Sequence, residues 1–173
     1  KSIEGYTDIA RFVESVAVPR KIMIMVRAGS AVDELMEQLF PLLSPGDILI
    51  HGGNSNYEDT NRRVALAEAR GFRFVGAGVS GGEEGALNGA SIMPGGSVSA
   101  WEEVKPLLQS IAAKASDGTP SCQWVGPAGS GHFVKIIHNG IEYGDIQLSS
   151  DAYWLMKNLL KLDNGEMSSV FWQ

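Results

Sequence analysis

The sequence predicts an α/β fold with a doubly wound, largely parallel sheet, followed by a long helix that leads into an all-α region. Three observations predict it. Short apolar runs alternate with helical patterns over residues 1–126, the order that produces a parallel sheet with helices against its faces. Glycine-rich stretches, "VRAGS", "HGGNS" and "GAGVSGGEEG", follow the apolar runs, where open α/β sheets bind their ligands. From about residue 128 to about residue 160 the pattern stays helical, more than twice the usual helix length of about 11–12 residues.

Each element has its own signal. Ile9, Phe12, Val13 and Val16 fall at helical spacing within residues 7–16. "KIMIMV" (21–26) is a short apolar run after Pro19, a buried strand. "SAVDELMEQLFPLL" reads as a helix with Ser30 as N-cap and Asp33 and Glu34 in its first turn. A strand over 47–51 ends in glycines, and the helix after it is closed by Gly71. Residues 72–75 and 91–96 give two more strands, and "SAWEEVKPLLQSIAAK" a helix capped by Ser99. "CQWVG" (122–126) is the last strand.

Composition excludes several function classes. The 173 residues are 44% hydrophobic and 20% charged, ordinary for a globular chain. Net charge is -6, and the basic residues form no run, so nucleic acid is not an expected partner. Cys122 is the single cysteine, no Cys/His cluster has metal-ligand spacing, and a reducing, cytoplasmic setting fits. No apolar run reaches membrane-spanning length and no signal peptide opens the chain. The chain does not begin with Met and ends at "SSVFWQ", so both ends are expected to be cut.

"GAGVSG" fits G-x-G-x-x-G through Gly76, Gly78 and Gly81. A dinucleotide fingerprint opens directly into a helix, whereas "GEEGALNGAS" brings more glycines, two carboxylates and no apolar periodicity. The stretch reads instead as a flexible loop offering Ser80 and backbone N–H groups to a small anionic ligand. "HGGNS" reads equally well as an ordinary strand-to-helix turn, with Ser55 capping the next helix, or as a ligand loop in which Asn54 bridges two ligands. Arg27 is a solvated residue or a partner for part of a nucleotide.

"GSGHFVKIIHNGIEYGD" carries the most information. At about 100° per residue, Lys135, His138, Asn139 and Glu142 fall within roughly 100° of one another, with Tyr143 at their border. Phe133, Val134, Ile137, Ile141 and Leu148 lie on the opposite side, flanked by Gly140 and Gly144, where close backbone approach is expected. A solvated face with i, i+4 pairs explains this poorly, because two interior glycines cost about 1 kcal/mol each against alanine. An acid–base pair explains it better. A lysine acts as a base only when neutral and a glutamate as an acid only when protonated. A reaction that removes a proton at one atom and returns one at another uses both.

These residues, with "GGNS", "GAGVSGGEEGA" and "SIMPGG", closely resemble the decarboxylating 6-phosphogluconate dehydrogenase family, at consistent spacing over essentially the whole chain. The resemblance implies a cytoplasmic, homodimeric, NADP-dependent oxidoreductase of the pentose phosphate pathway. It would oxidise and decarboxylate 6-phosphogluconate to ribulose 5-phosphate and CO2 without a metal. It implies Lys135 as general base and Glu142 as general acid. Asn54, Ser80, Gly81, Gly82, His138, Asn139 and Tyr143 match substrate-binding positions, and Val26, Arg27, Ala28 and Asn54 match cofactor-binding ones. The chain departs from the family at His51, where an aspartate is usual, and at Arg27, where lysine is common.

The same resemblance implies a partial Rossmann-like cofactor-binding domain over 1–126, then the long helix and the start of the helical C-terminal domain over 127–173. The family's N-terminal fingerprint, the segment that tells NADP from NAD, and most of the C-terminal domain are not in this sequence. The chain is therefore expected to be a central fragment. Two alternatives accompany this reading: a non-catalytic fragment with residual sugar-phosphate or nucleotide binding, and a related β-hydroxyacid dehydrogenase.

Overall fold

The computed structural model describes residues 3–172, which divide into two compact units that meet in sequence at Lys135 and Ile136. In the first unit five strands form one sheet in sequence order: β1 (Lys21–Ile24), β2 (Ile48–His51), β3 (Arg73–Ser80), β4 (Ser91–Gly96) and β5 (Gly126–Pro127). β1, β2 and β3 are parallel, with Ile24, His51 and Gly76 in register across them. β4 runs antiparallel to β3 and parallel to β5. The sheet is therefore largely parallel in its pairings, as the alternation of elements predicts, with one antiparallel pairing between β3 and β4.

Alternating side chains along β2 and β3 divide the core between two faces, as period-2 strand geometry requires. Leu49 and Phe74 join Ile22 and Ile24 against α1 (Ile9–Ser15), α2 (Ser30–Leu39) and α3 (Tyr57–Ala69). Ile48, Ile50 and Val75 pack on the other face with Ala100, Trp101, Val104 and Leu108 of α5 (Val98–Ile111). β2 is buried at all four positions, which is why it reads as a continuous apolar run. Helices thus cover both faces, as expected of a doubly wound sheet.

The structure shifts several expected boundaries. β3 extends to Ser80, so "GAGVS" is strand rather than flexible loop, and the seven-residue α4 (Gly82–Asn88) follows it. Glycines hide the strand from a reading based on side-chain periodicity. α4 connects two antiparallel strands rather than crossing between parallel ones, so the stretch is still not a dinucleotide fingerprint, for a topological reason. The expected strand over 122–126 is replaced by the two-residue β5, and Cys122 makes only an isolated bridge to Ile92. Pro94 of β4 accepts from Val125 but has no N–H to give back, which interrupts the ladder there.

The caps also differ. Gly29 and Ser97, not Ser30 and Ser99, precede α2 and α5. Asn56 caps α3 by accepting from the N–H of Glu58 at 2.8 Å, so Ser55 is free for another role. Gly71 lies just beyond the end of α3 at φ +81°, the left-handed position that closes a helix.

The long helix α6 runs from Ser130 to Asn158, 29 residues, close to the expected span. In the second unit a further helix, α7 (Asn164–Phe171), follows it. Asp163 and Glu166 form a reciprocal capping box at its start, and the D-x-x-E spacing that announces it is present in the sequence. No helix among the described residues is long and apolar enough to cross a membrane.

Candidate active site

The carboxyl ends of the parallel strands bring the first group of candidate residues to one edge of the sheet. Val26, Arg27 and Ala28 follow β1 and Asn54 follows β2, while Ser80 ends β3 and Gly81 and Gly82 lead into α4. Arg27, Ala28, Asn54, Gly81 and Gly82 are exposed, and Val26 and Ser80 are half-buried. The loops after β1 and β2 are packed together: a β-carbon placed on Gly53 would lie 3.2 Å from the carbonyl oxygen of Val26.

Arg63 ties these two loops to α3. It is completely buried and donates from Nε and Nη2 to the two carboxylate oxygens of Asp33 at 2.9 Å each. It also donates to Ser55 Oγ and to the Gly29 carbonyl, both at 3.0 Å. Hydrogen bonds from Arg63 lead the causes that hold the Asp33 carboxyl well below the usual carboxylate range, against a smaller opposing push from burial. Sequence reading passed over Arg63. Its signal was the buried stripe of Thr60, Arg63, Val64 and Ala67, a helical spacing with a charge in it.

Lys135 stands in α6 at 7% exposure. Among the described residues no carboxylate lies within ion-pairing distance of it. An ammonium held away from water without a counter-charge is costly. Arrival of an anion relieves that cost. The first turn of α6 rests directly on the glycines of β3 and β4. A β-carbon on Gly78 would fall 2.6 Å from the Lys135 β-carbon and 2.8 Å from the Gly131 carbonyl oxygen. One on Gly131 would collide with the carbonyls of Gly76 and Met93. The glycines read from sequence as ligand loop therefore act first as a seat for this helix.

Two bonds from α3 complete the seat. Asn61 Oδ1 accepts from the Gly129 N–H at 2.7 Å, and Thr60 Oγ1 pairs with His132 Nδ1 at 2.7 Å. His132 is buried, and its ring meets that of buried His51 edge to face with centroids 5.1 Å apart. Among the described residues neither His51 nitrogen has a hydrogen-bond partner, nor does His132 Nε2. Burial, then the neighbouring His132 and Arg63, push His51 down to about 4, with Asp33 opposing weakly. Burial also pushes His132 down to about 4, against backbone groups of Gly53 and Ala77 that favour its proton.

In the second unit His138 Nδ1 lies 3.2 Å from Asn139 Oδ1 and 3.6 Å from Glu142 Oε2. His138 and Asn139 are half-buried, while Glu142 and Tyr143 are exposed. The expectation for the other side of this helix is corrected. Phe133, Val134, Ile137, Ile141 and Leu148 are 37–71% exposed rather than buried, although Phe133 does meet the ring of Tyr57. Nothing comes within 4 Å of where a β-carbon of Gly140 or Gly144 would stand. At the start of α6 close backbone approach occurs instead at Gly129 and Gly131, ahead of Lys135. No group of three or more metal-ligating side chains occurs among the described residues.

Residues 1–126 match the NAD binding domain of 6-phosphogluconate dehydrogenase, and residues 131–173 match the C-terminal domain of 6-phosphogluconate dehydrogenase. The decarboxylating 6-phosphogluconate dehydrogenase of Treponema pallidum is 57% identical over 99% of this chain and 35% of its own length. A solved Plasmodium falciparum 6-phosphogluconate dehydrogenase, described in apo form and in complex with its cofactor NADP+ and its substrate 6-phosphogluconate, superposes with TM-score 0.90. It is 42% identical, over 96% of this chain and 36% of that one. Mycobacterium tuberculosis 3-hydroxyisobutyrate dehydrogenase shares the fold alone, at TM-score 0.79 and 22% identity over 95% of this chain and 53% of that one. The chain thus spans about a third of the length of these two 6-phosphogluconate dehydrogenases. By the family matches to both parts of its sequence and this identity to a decarboxylating relative, the chain belongs to the 6-phosphogluconate dehydrogenase family.

Proposed function

We propose that the full-length protein carrying this chain oxidises and decarboxylates 6-phosphogluconate to ribulose 5-phosphate and CO2 with NADP, as a cytoplasmic homodimer in the pentose phosphate pathway. The observation that carries the reading is Lys135: buried, with no carboxylate within ion-pairing distance among the described residues, and packed against Gly78, two positions before Ser80 at the carboxyl end of β3. The reading draws further support from the 57% identity to a protein named for this activity.

The cofactor's place is at the ends of β1 and β2. The residues present suit it: an exposed guanidinium at Arg27, the exposed amide of Asn54, and loops packed closely enough that a β-carbon on Gly53 would press on Val26 and His51. Val26, Arg27, Ala28 and Asn54 would hold it there. When bound, NADP supplies the hydride acceptor. Ser80, Gly81 and Gly82 bind the substrate with Asn54, and His138, Asn139 and Tyr143 are its partners on α6.

Lys135, once neutral, takes the proton of the 3-hydroxyl as hydride leaves C3. The 3-keto acid then loses CO2, because the carbonyl β to the carboxylate accepts the electron pair. Glu142, seven residues along the same helix, delivers a proton to C1 of the enediol. The test is simultaneous formation of NADPH and CO2 by the full-length protein given 6-phosphogluconate and NADP. Turnover of simple 3-hydroxy acids in its place would instead support a β-hydroxyacid dehydrogenase.

A second reading has its own observation, the coverage of about a third of each relative. The 173-residue chain by itself would be a non-catalytic module with weak sugar-phosphate or nucleotide binding. Titration calorimetry with 6-phosphogluconate and NADP, beside an intact-mass measurement, separates the two.

A further inference from the structure

We propose that Gly78 is a positioning residue for Lys135: the absence of a side chain there sets how deeply α6 lies on β3, and so where the lysine amine stands. The role assigned to the amine rests on the function proposed above, while the seat itself rests on the structure.

The geometry leaves little slack. A β-carbon on Gly78 would meet the β-carbon of Lys135 at 2.6 Å, its γ-carbon at 3.3 Å and the Gly131 carbonyl oxygen at 2.8 Å. The first and last of these atoms are fixed by the helix backbone, so no rotamer change relieves the contact. One methyl group therefore lifts the first turns of the helix rather than a side-chain tip. The surrounding bonds resist that movement. Asn61 and Thr60 hold Gly129 and His132. Tyr57 meets Phe133 edge to face with centroids 5.2 Å apart. Gly95 has no room either, because a β-carbon there would fall 2.6 Å from the Gly131 nitrogen.

Gly76 forms the neighbouring part of the seat in a way that can be relieved. Its β-carbon would meet Thr60 Cγ2 at 2.5 Å and His132 Nδ1 at 3.1 Å. Thr60→Ser deletes the methyl and keeps the hydroxyl that pairs with His132. Displacing a catalytic group by about 1 Å can cost on the order of 10²-fold in rate. The glycines of "GAGVSG" thus take a mechanical role, tied to the lysine by direct contact, that their resemblance to a phosphate loop hides.

The experiment compares Gly78→Ala, Gly76→Ala and Gly76→Ala/Thr60→Ser with the parent. Acetylation of Lys135 by acetic anhydride is followed by peptide mass spectrometry on the 173-residue chain. In the full-length protein, kcat, its pH profile and the KM for NADP are measured. The expected result is several-fold faster labelling of Lys135 in Gly78→Ala. Its kcat falls by about tenfold or more with a shifted pH profile, within the range one misplaced group can cause, while the NADP KM is nearly unchanged. Gly76→Ala moves both readouts less, and Thr60→Ser restores them.

A folded Gly78→Ala with parental labelling and kcat overturns the proposal. If that variant does not melt cooperatively, the Gly76 pair decides, and failure of Thr60→Ser to restore labelling overturns it. A parent without turnover defeats the functional reading alone, because the labelling comparison still reports on the seat.

Discussion

His51, at the end of β2, and His132, in the first turn of α6, meet edge to face with ring centroids 5.1 Å apart, both out of contact with water. They join the loop that begins at Gly52 to the helix that carries Lys135. Phe74 lies against His51, Thr60 is bonded to His132, and buried Arg63 and its partner Asp33 supply the nearby charges.

This pair gives the fold an acid limit. Both folded-state values lie near 4, below the ordinary 6.5. As pH falls, the unfolded chain takes up protons first. Stability is therefore complete above about pH 6.5 and is lost as pH drops from there toward 4. Each tenfold difference in proton affinity is worth about 1.4 kcal/mol, so the pair accounts for several kcal/mol. His51→Leu is expected to flatten this part of the Tm–pH curve. At neutral pH it leaves Tm unchanged or raised, since an apolar group replaces two unpaired nitrogens. Thermal melts across the range check both statements.

Breaking the Arg63–Asp33 pair exposes a different weakness. Asp33→Ala leaves a fully buried guanidinium with only neutral partners. The expected loss is about 3 kcal/mol, the low end for removing one member of a buried pair because Asp33 itself is partly exposed. Urea denaturation measures it. Asp33 also loses its contribution as pH falls below the ordinary carboxylate range, a window below that of the histidines.

Cys122 is buried, and burial pushes its thiol up to about 11, with a small opposing effect from Lys114. The folded chain is expected to resist a thiol-specific disulfide reagent at neutral pH and to react fully in denaturant. Rapid reaction of the folded chain would show that the Ile92–Cys122 edge opens.

Much of this was legible in the sequence. β2 is an apolar run buried at all four positions, so composition alone announces it, whereas β1, expected to be buried, hides Ile22 and Ile24 and leaves Met23 exposed. α3 shows its closing glycine, although its cap is Asn56 rather than the expected Ser55. The polar arc of Lys135, His138, Asn139 and Glu142 follows from helical spacing, and α6 does run through all four.

What the sequence concealed has physical causes. Glycine has no side chain to alternate, so Gly76 and Gly78 gave no strand signal, although they are buried in β3. The direction of β4 depends on how α4 turns the chain, which periodicity does not encode. Amphipathicity predicted a packed face for Ile141 and Leu148, but that face has no cover among the described residues. Arg63 was missed because a charge within an apolar stripe is rarely read as core, and only the position of Asp33 in the fold makes it one.

In the proposed mechanism Glu142 returns a proton to C1. Glu142→Gln keeps the size of the side chain and removes its acid. Turnover in the full-length protein is expected to fall on the order of 10²-fold, in line with loss of a general acid, while 6-phosphogluconate still binds. Steady-state rates beside a calorimetric titration check this.

The central claim is that Lys135 is the base. The most direct test is NADPH production from 6-phosphogluconate and NADP by the full-length protein and its Lys135→Ala variant, with far-UV circular dichroism to confirm the fold. The account predicts a folded variant with turnover abolished. Near-normal NADPH production by that variant would contradict it.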